Sequence, residues 1–220
     1  MLKGAIFDMD GTLLDSMHVW RDFDREYLRR HGIDTEEDLR DRIAPMTLPQ
    51  AAVFFRERFG LPYTVEEIID QVNSQVEEEY FYKVQPKPGI PEMVKAFYEA
   101  GVKMCIATAT DRYLAEAALK RTGLLQYFSK IFTSTEIGSS KREPKTFQIA
   151  LEYLGTPKDE TYVFEDAAYA VMAAKSFGFH VVAIKDPHSS HHGPEIRETA
   201  DILLDDISRW REKIELPPKT

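Results

Sequence analysis

Asp8 and Asp10 stand at the end of the apolar run Leu2-Lys3-Gly4-Ala5-Ile6-Phe7 and are followed at once by Gly11-Thr12. Three further runs end in groups of a similar kind. Val102–Ala107 delivers Thr108, Thr110 and Asp111. Lys130–Phe132 leads to a polar loop with Lys141, Arg142 and Lys145, and Thr161–Phe164 delivers Glu165 and Asp166. In an open α/β sheet the ligand crevice lies beyond the carboxyl ends of the strands, so four strand ends would gather carboxylates, a hydroxyl and a cation at one place. Carboxylates gathered without a cation repel one another and resist desolvation. A hard divalent cation with oxygen ligands resolves that repulsion, and Mg²⁺ is the natural candidate. A hydroxyl and an ammonium can then hold the remaining oxygens of a phosphate. One carboxylate is left to attack phosphorus and form an aspartyl-phosphate. A second, two residues along, can act as acid to the leaving oxygen and then as base to water.

Such a site needs strands that end side by side. From Pro91 onward the pattern supplies them, as helix Pro91–Ala100, strand Val102–Ala107, helix Asp111–Arg121 stopped by Gly123, and strand Lys130–Phe132. Helix Pro144–Leu154, strand Thr161–Phe164, helix Tyr169–Phe177 and strand Phe179–Ile184 continue it, and a shorter unit at Ile202–Leu204 and Ile207–Lys213 closes the chain. Alternating strands and helices predict an α/β fold, a parallel sheet covered on both faces. The stretch between the first strand and Val102 breaks this rhythm. A helix is expected from about Ser16, with Trp20, Phe23, Tyr27 and Leu28 on one face and Gly32 at its end. A less regular helical stretch follows at Glu36–Ile43, and a third helix opens near Pro49 and stops at Gly60. Thr64-Val65-Glu66-Glu67 reads as a capping box ahead of the stripe Val65, Ile68, Ile69, Val72 and Val76, which Pro86-Lys87-Pro88-Gly89 breaks. The expected organisation is a core of residues 1–14 and 86–220 with a helical insert at 15–85.

The 220 residues carry 28 Lys+Arg against 37 Asp+Glu, a net charge of −9, with 43 % hydrophobic and 30 % charged residues. That is a globular balance, and the acidic surplus argues against nucleic acid or an anionic membrane as partner. No apolar run approaches a membrane span and no signal-peptide pattern opens the chain. The single cysteine, Cys105, excludes an internal disulfide and fits a reducing compartment, so a cytoplasmic protein is expected. Cys105 lies in an apolar strand and reads as a core residue. His188, His191 and His192 match no common ligand spacing and read as a surface loop.

Ile6-Phe7-Asp8-Met9-Asp10-Gly11-Thr12-Leu13-Leu14-Asp15-Ser16 resembles the first motif of the haloacid dehalogenase-like hydrolase superfamily. Ile106-Ala107-Thr108, a lysine before a helix, and Phe164-Glu165-Asp166 follow in the family's order, and the insert resembles its α-helical cap of the first type. The resemblance implies a Rossmann-like three-layer α/β/α core with Asp8 as nucleophile and Asp10 as general acid/base. It implies Mg²⁺ held by the Asp8 carboxylate, the Asp10 backbone carbonyl and Asp166, with Glu165 binding or orienting it. Thr108 would hydrogen-bond the phosphoryl group, and Lys141 would neutralise Asp8 and the phosphoryl charge. Relatives often show Lys-Pro-x-Pro-Asp-x-Phe where this chain has Lys141-Arg142-Glu143-Pro144-Lys145-Thr146-Phe147; aligning Pro144 and Phe147 selects Lys141, and a local shift selects Lys145. The usual Glu-Asp-Ser is here Glu165-Asp166-Ala167, a change expected to touch the surroundings of the metal more than the metal itself. Ala109, Trp20 and Thr47 are expected beside the substrate, and Met46 of the insert faces the same way.

The activity so implied is Mg²⁺-dependent hydrolysis of a small phosphate monoester, a sugar phosphate or similar metabolite, by a monomer or weak homodimer. The alternative is a β-phosphoglucomutase-like isomerase. Such enzymes carry a His in the first cap helix and an Arg after a Gly in the cap's substrate loop, where this chain has Trp20 and Ala44-Pro45-Met46-Thr47. A 2-haloacid dehalogenase needs no metal or second carboxylate, and Asp10 with Glu165-Asp166 argues against it. A non-catalytic binding protein on the same scaffold would have no need of all four motifs.

Overall fold

The computed structural model of the chain describes residues 1–188 and 193–218, with Arg40 described by its backbone. Its centre is a sheet of six strands: β1 Gly4–Phe7, β2 Lys103–Thr108, β3 Ile131–Thr133, β4 Thr161–Glu165, β5 His180–Ile184 and β6 Ile202–Leu204. They run in the order β3-β2-β1-β4-β5-β6, and every neighbouring pair is parallel. Successive side chains of a strand point to opposite faces, and here both faces are apolar. Ala5, Phe7, Met104, Ile106 and Phe164 pack on one side with α6 (Ile90–Glu99) and α7 (Arg112–Arg121). Ile6, Cys105, Ala107, Val163 and Val181 pack on the other with α9 (Lys145–Leu154) and α10 (Ala168–Ser176). This is the expected Rossmann-like three-layer arrangement. Strand order reverses direction around β1, so the crevice of an open sheet falls between the carboxyl ends of β1 and β4.

Between β1 and α6 lie five helices, α1 Met17–Trp20, α2 Phe23–Arg30, α3 Arg40–Ile43, α4 Leu48–Phe59 and α5 Val65–Glu78, and a π turn, Glu79–Lys83. Their apolar faces form a cluster of their own around Tyr27, Leu28, Phe55, Ile68 and Val72. Both α4 and α5 open with a reciprocal capping box, Thr47 with Gln50 and Thr64 with Glu67. The two connectors run side by side. Asp15 N–H donates to the Gln85 carbonyl at 2.9 Å and Lys87 N–H to the Leu13 carbonyl at 3.0 Å.

The structure departs from expectation in four places. The single helix expected from Ser16 is broken at Arg21-Asp22 into α1 and α2, where Arg21 Nε donates to the Asp22 carboxylate at 2.7 Å and the Trp20 indole is held by Tyr80. The stretch expected at Glu36–Ile43 is helical only at Arg40–Ile43. Two short helices were not foreseen, α8 Ser134–Ile137 and α11 Gly193–Thr199. Finally, the helix α5 continues past its apolar stripe into the π turn.

Phe7 lies at the crossing of the aromatic core. It stacks on Phe164 at 4.2 Å between ring centroids and meets Phe128 edge-on at 5.6 Å. Phe7→Ala leaves a cavity directly beneath Asp8 and is expected to cost about 3–5 kcal/mol in urea unfolding. A loss below about 1 kcal/mol would mean that the core closes over the gap.

Candidate active site

The chain leaves β1 with the ladder still intact, because Asp8 N–H donates to the Phe164 carbonyl at 2.9 Å. It then turns tightly. Leu13 and Leu14 N–H both donate to the Met9 carbonyl at 2.9 Å, and Gly11 N–H to the Leu14 carbonyl at 2.9 Å. Gly11 has φ 78°, a conformation other residues resist, and a Cβ there would collide with the Asp166 carboxylate. The loop therefore passes against the end of β4 only because residue 11 has no side chain. Thr12 Oγ1 donates to Asp166 Oδ1 at 3.2 Å across the same gap.

Lys141 reaches this junction from the loop ahead of α9. Its Nζ lies 2.5 Å from Asp8 Oδ1 and 2.5 Å from Glu165 Oε1, with only 3 % of the residue exposed. The other Glu165 oxygen accepts the N–H groups of Asp166 and Ala167 at 3.1 and 3.2 Å, so both oxygens are fixed. Carboxylate oxygens of Asp8, Glu165 and Asp166 all lie within 4.8 Å of one another. Burial pushes the Asp8 carboxyl up to about 6, with Lys141 drawing it down and Glu165 pushing it further up. Burial, then the charges of Asp8, Glu165 and Asp186, hold Asp166 well above its ordinary value against Lys141. Burial disfavours the Lys141 charge, yet Asp8 and Glu165 overcome it and hold the ammonium firmly protonated. Three buried carboxylates around one cation leave an excess of negative charge on hard oxygen donors. That donor set suits a divalent metal ion.

Asp10 sits apart from this trio and is gripped by hydroxyls. Ser16 Oγ and Tyr80 Oη donate to its Oδ1 at 2.6 and 2.5 Å, and Thr110 Oγ1 donates to its Oδ2 at 2.6 Å. Burial and then the Asp8 charge raise its carboxyl above the usual range, against the pull of those three donors.

Asp8, Asp10, Lys141, Asp166, Ala109 and Trp20 all line one cavity of about 440 Å³ between the strand ends and the helical insert. Glu165 lies behind it, wholly buried. The choice between the two lysines falls to Lys141, because Lys145 Nζ donates to the Ile137 carbonyl at 3.2 Å. Two expected substrate contacts do not line the cavity. The Thr47 hydroxyl accepts Gln50 N–H as the cap of α4, while its neighbours Met46 and Leu48 face the cavity. Thr108 is fully buried and its Oγ1 accepts Thr110 N–H at 3.1 Å. His188 lines the cavity, whereas His191 and His192 lie outside the described residues.

Tyr80 was not anticipated. Its signal is the α5 stripe itself, since Val72 and Val76 continue at the same spacing to position 80. Trp20 Nε1 donates to Tyr80 Oη at 2.8 Å, and Tyr80 donates on to Asp10. Asn73 of α5 also reaches the sheet side, donating to Asp111 Oδ2 at 2.9 Å.

A family model for haloacid dehalogenase-like hydrolases matches residues 5–184, and the chain belongs to that family. It is 27 % identical over 212 residues to validoxylamine A 7'-phosphate phosphatase of Streptomyces hygroscopicus subsp. limoneus, covering 96 % of this chain and 97 % of that one. It is 29 % identical over 188 residues to fructose-1-phosphate phosphatase YqaB of Escherichia coli, covering 83 % and 96 %. Among solved structures, CbbY from Rhodobacter sphaeroides in complex with phosphate superposes with a TM-score of 0.80 at 21 % identity, covering 94 % of this chain and 96 % of that one, a likeness of fold. Among the described residues no helix is long and apolar enough to cross a membrane.

The charge excess has a measurable consequence for stability. A carboxyl whose folded pKa lies above its unfolded value destabilises the fold at neutral pH, and the penalty fades as pH falls through the folded pKa. In EDTA, Asp166→Asn should therefore melt higher than wild type at pH 7.5, with the gap narrowing as the pH falls below the raised pKa of Asp166 toward the ordinary carboxylate range. Saturating Mg²⁺ should raise the wild-type Tm and leave that of Asp166→Asn nearly unchanged. Equal Mg²⁺ responses in both proteins would remove Asp166 from the metal site.

Proposed function

We propose that the chain is a Mg²⁺-dependent phosphatase that hydrolyses small phosphate monoesters through an aspartyl-phosphate on Asp8. The observation that carries this reading is the position of Asp8, whose carboxylate opens on the cavity while Lys141 holds it at 2.5 Å. Asp8, the Asp10 carbonyl and Asp166 would hold the metal ion, with Glu165 close behind. When bound, the ion supplies positive charge that draws the phosphoryl oxygens toward Asp8 and offsets the crowding of carboxylates.

The chain's own residues then divide the work. Asp8 Oδ attacks phosphorus, the bond from phosphorus to the ester oxygen breaks, and Asp10 gives its proton to the departing alkoxide. Lys141 balances charge that the transferring group brings. In the second half Asp10 takes a proton from water, water oxygen bonds to phosphorus, the Asp8–phosphorus bond breaks, and inorganic phosphate leaves. An acid that must give up a proton to the alkoxide is served by the raised carboxyl of Asp10, because burial and the Asp8 charge favour its protonated form. The Ser16, Thr110 and Tyr80 hydroxyls fix where that carboxyl points. Residues 15–85 would act as a cap that covers the substrate and keeps bulk water from the intermediate.

Relatives that act on validoxylamine A 7'-phosphate and fructose 1-phosphate by name support a small phosphorylated metabolite as substrate. The isomerase alternative needs the cap to hold a second polar end of a sugar bisphosphate. On the insert side Trp20, Ala44 and Met46 line the cavity, as do the charged Arg21 and Asp41.

Phosphate release from a panel of monoesters should require Mg²⁺ and vanish in EDTA. Asp8→Asn should abolish it while the protein stays folded. Asp10→Asn should slow turnover by about 10²-fold or more while Mg²⁺ still raises the melting temperature. Full turnover in Asp8→Asn would refute the nucleophile assignment, and full turnover in Asp10→Asn the proton assignment.

A further inference from the structure

The cavity has two unlike walls. Strand ends furnish the polar one, with Asp8, Asp10, Thr110, Lys141 and Asp166. The insert furnishes the other with Phe23, Met46, Leu48, Phe55, Ile68 and Val72, contributed by α2, α4, α5 and the loop before α4. Three of the polar groups that reach this second wall are already engaged. The Trp20 indole donates to Tyr80 at 2.8 Å, the Tyr27 hydroxyl to Gln71 at 2.8 Å, and the Asn73 amide to Asp111 at 2.9 Å. Asp24 is buried on this side as well, and burial raises its carboxyl above the ordinary range. Arg21 and Arg142 also line the cavity, but both are exposed, and the Arg21 Nε is on Asp22.

We infer that the leaving group is the part of the substrate this wall selects, and that it has an apolar body. The favoured esters are phosphates of small aromatic or branched and cyclic aliphatic alcohols, not of polyhydroxylated sugars. The inference rests on the phosphatase reading for its phosphoryl end and departs from the sugar phosphates that the relatives suggest. A volume of about 440 Å³ is within the range of small-ligand sites. A sugar body would bury several hydroxyls against Phe55, Ile68 and Val72 with no partner, and each unpartnered hydroxyl weakens binding by about tenfold. An apolar body of the same size brings no such loss and removes its own surface from water.

The test compares cyclohexylmethyl phosphate with glucose 6-phosphate, which share a six-membered ring bearing a primary phosphate ester and differ in the ring's oxygens. With the full chain in Mg²⁺, kcat/KM for cyclohexylmethyl phosphate should exceed that for glucose 6-phosphate by about tenfold or more. Calorimetric titration of the hydrolytically inactive Asp8→Asn protein with each ester should show the same order of affinity. Val72→Thr, nearly unchanged in volume, places a hydroxyl in the apolar wall and should narrow the ratio severalfold. Equal or reversed preference in turnover and binding would overturn the inference and leave the phosphatase reading standing. An unaltered ratio in Val72→Thr would likewise contradict it. Binding preference without turnover of either ester would sink the phosphatase reading and leave the assignment of the wall intact.

Discussion

The rest of the molecule is organised around one buried electrostatic arrangement, the Lys141 ammonium between Asp8 and Glu165 with Asp166 beside them. Gathering these charges out of water costs several kcal/mol per ion unless each finds partners in good geometry. The partners come from three separate stretches of chain, so the geometry depends on the sheet. β1 and β4 must be neighbours for Asp8 and Glu165 to meet, and the aromatic stack of Phe7 on Phe164 lies beneath that junction. Gly11 must lack a side chain for the loop to pass Asp166, and Thr12 and the Asp166 and Ala167 amides fix the carboxylates that remain. The excess of negative charge left after all of these contacts is what suits the site to a divalent metal ion.

A second network joins this centre to the helical insert. Asp10 is held by Ser16 on the first connector, Tyr80 in the π turn and Thr110 after β2. Trp20 completes the chain from α1, and Asn73 ties α5 to Asp111. The carboxyl proposed to move protons is thus oriented largely by residues that reach it from the insert side. That arrangement makes the orientation of the Asp10 carboxyl sensitive to where the insert sits.

The placement of the candidate site was legible in the sequence because strands and their ends leave local marks. A short apolar run followed by Asp-Met-Asp-Gly or by Glu-Asp identifies both the strand and what it delivers, and the sheet's topology then brings the pieces together. The lysine was ambiguous because aligning Pro144 and Phe147 selects Lys141 whereas a local shift selects Lys145. Only the packing of the loop, which buries Lys141 and leaves Lys145 on the Ile137 carbonyl, separates them. The insert was read less well. Thr47 looked like a substrate contact from its position, but its hydroxyl is needed to cap α4. The stripe of Val72 and Val76 marks Tyr80 as buried but not what it touches, and its contact with Asp10 is a hydrogen bond spanning 70 residues of sequence.

The most direct test of the account is rapid acid quenching of Asp10→Asn during its first turnover of a good ester in Mg²⁺, followed by peptide mass spectrometry. The predicted result is one added phosphoryl group on the peptide carrying Asp8, at a level close to that of the enzyme and absent in Asp8→Asn. Consumption of the ester with no phosphoryl group on Asp8 at any time would mean that water attacks phosphorus directly, and would contradict the central claim.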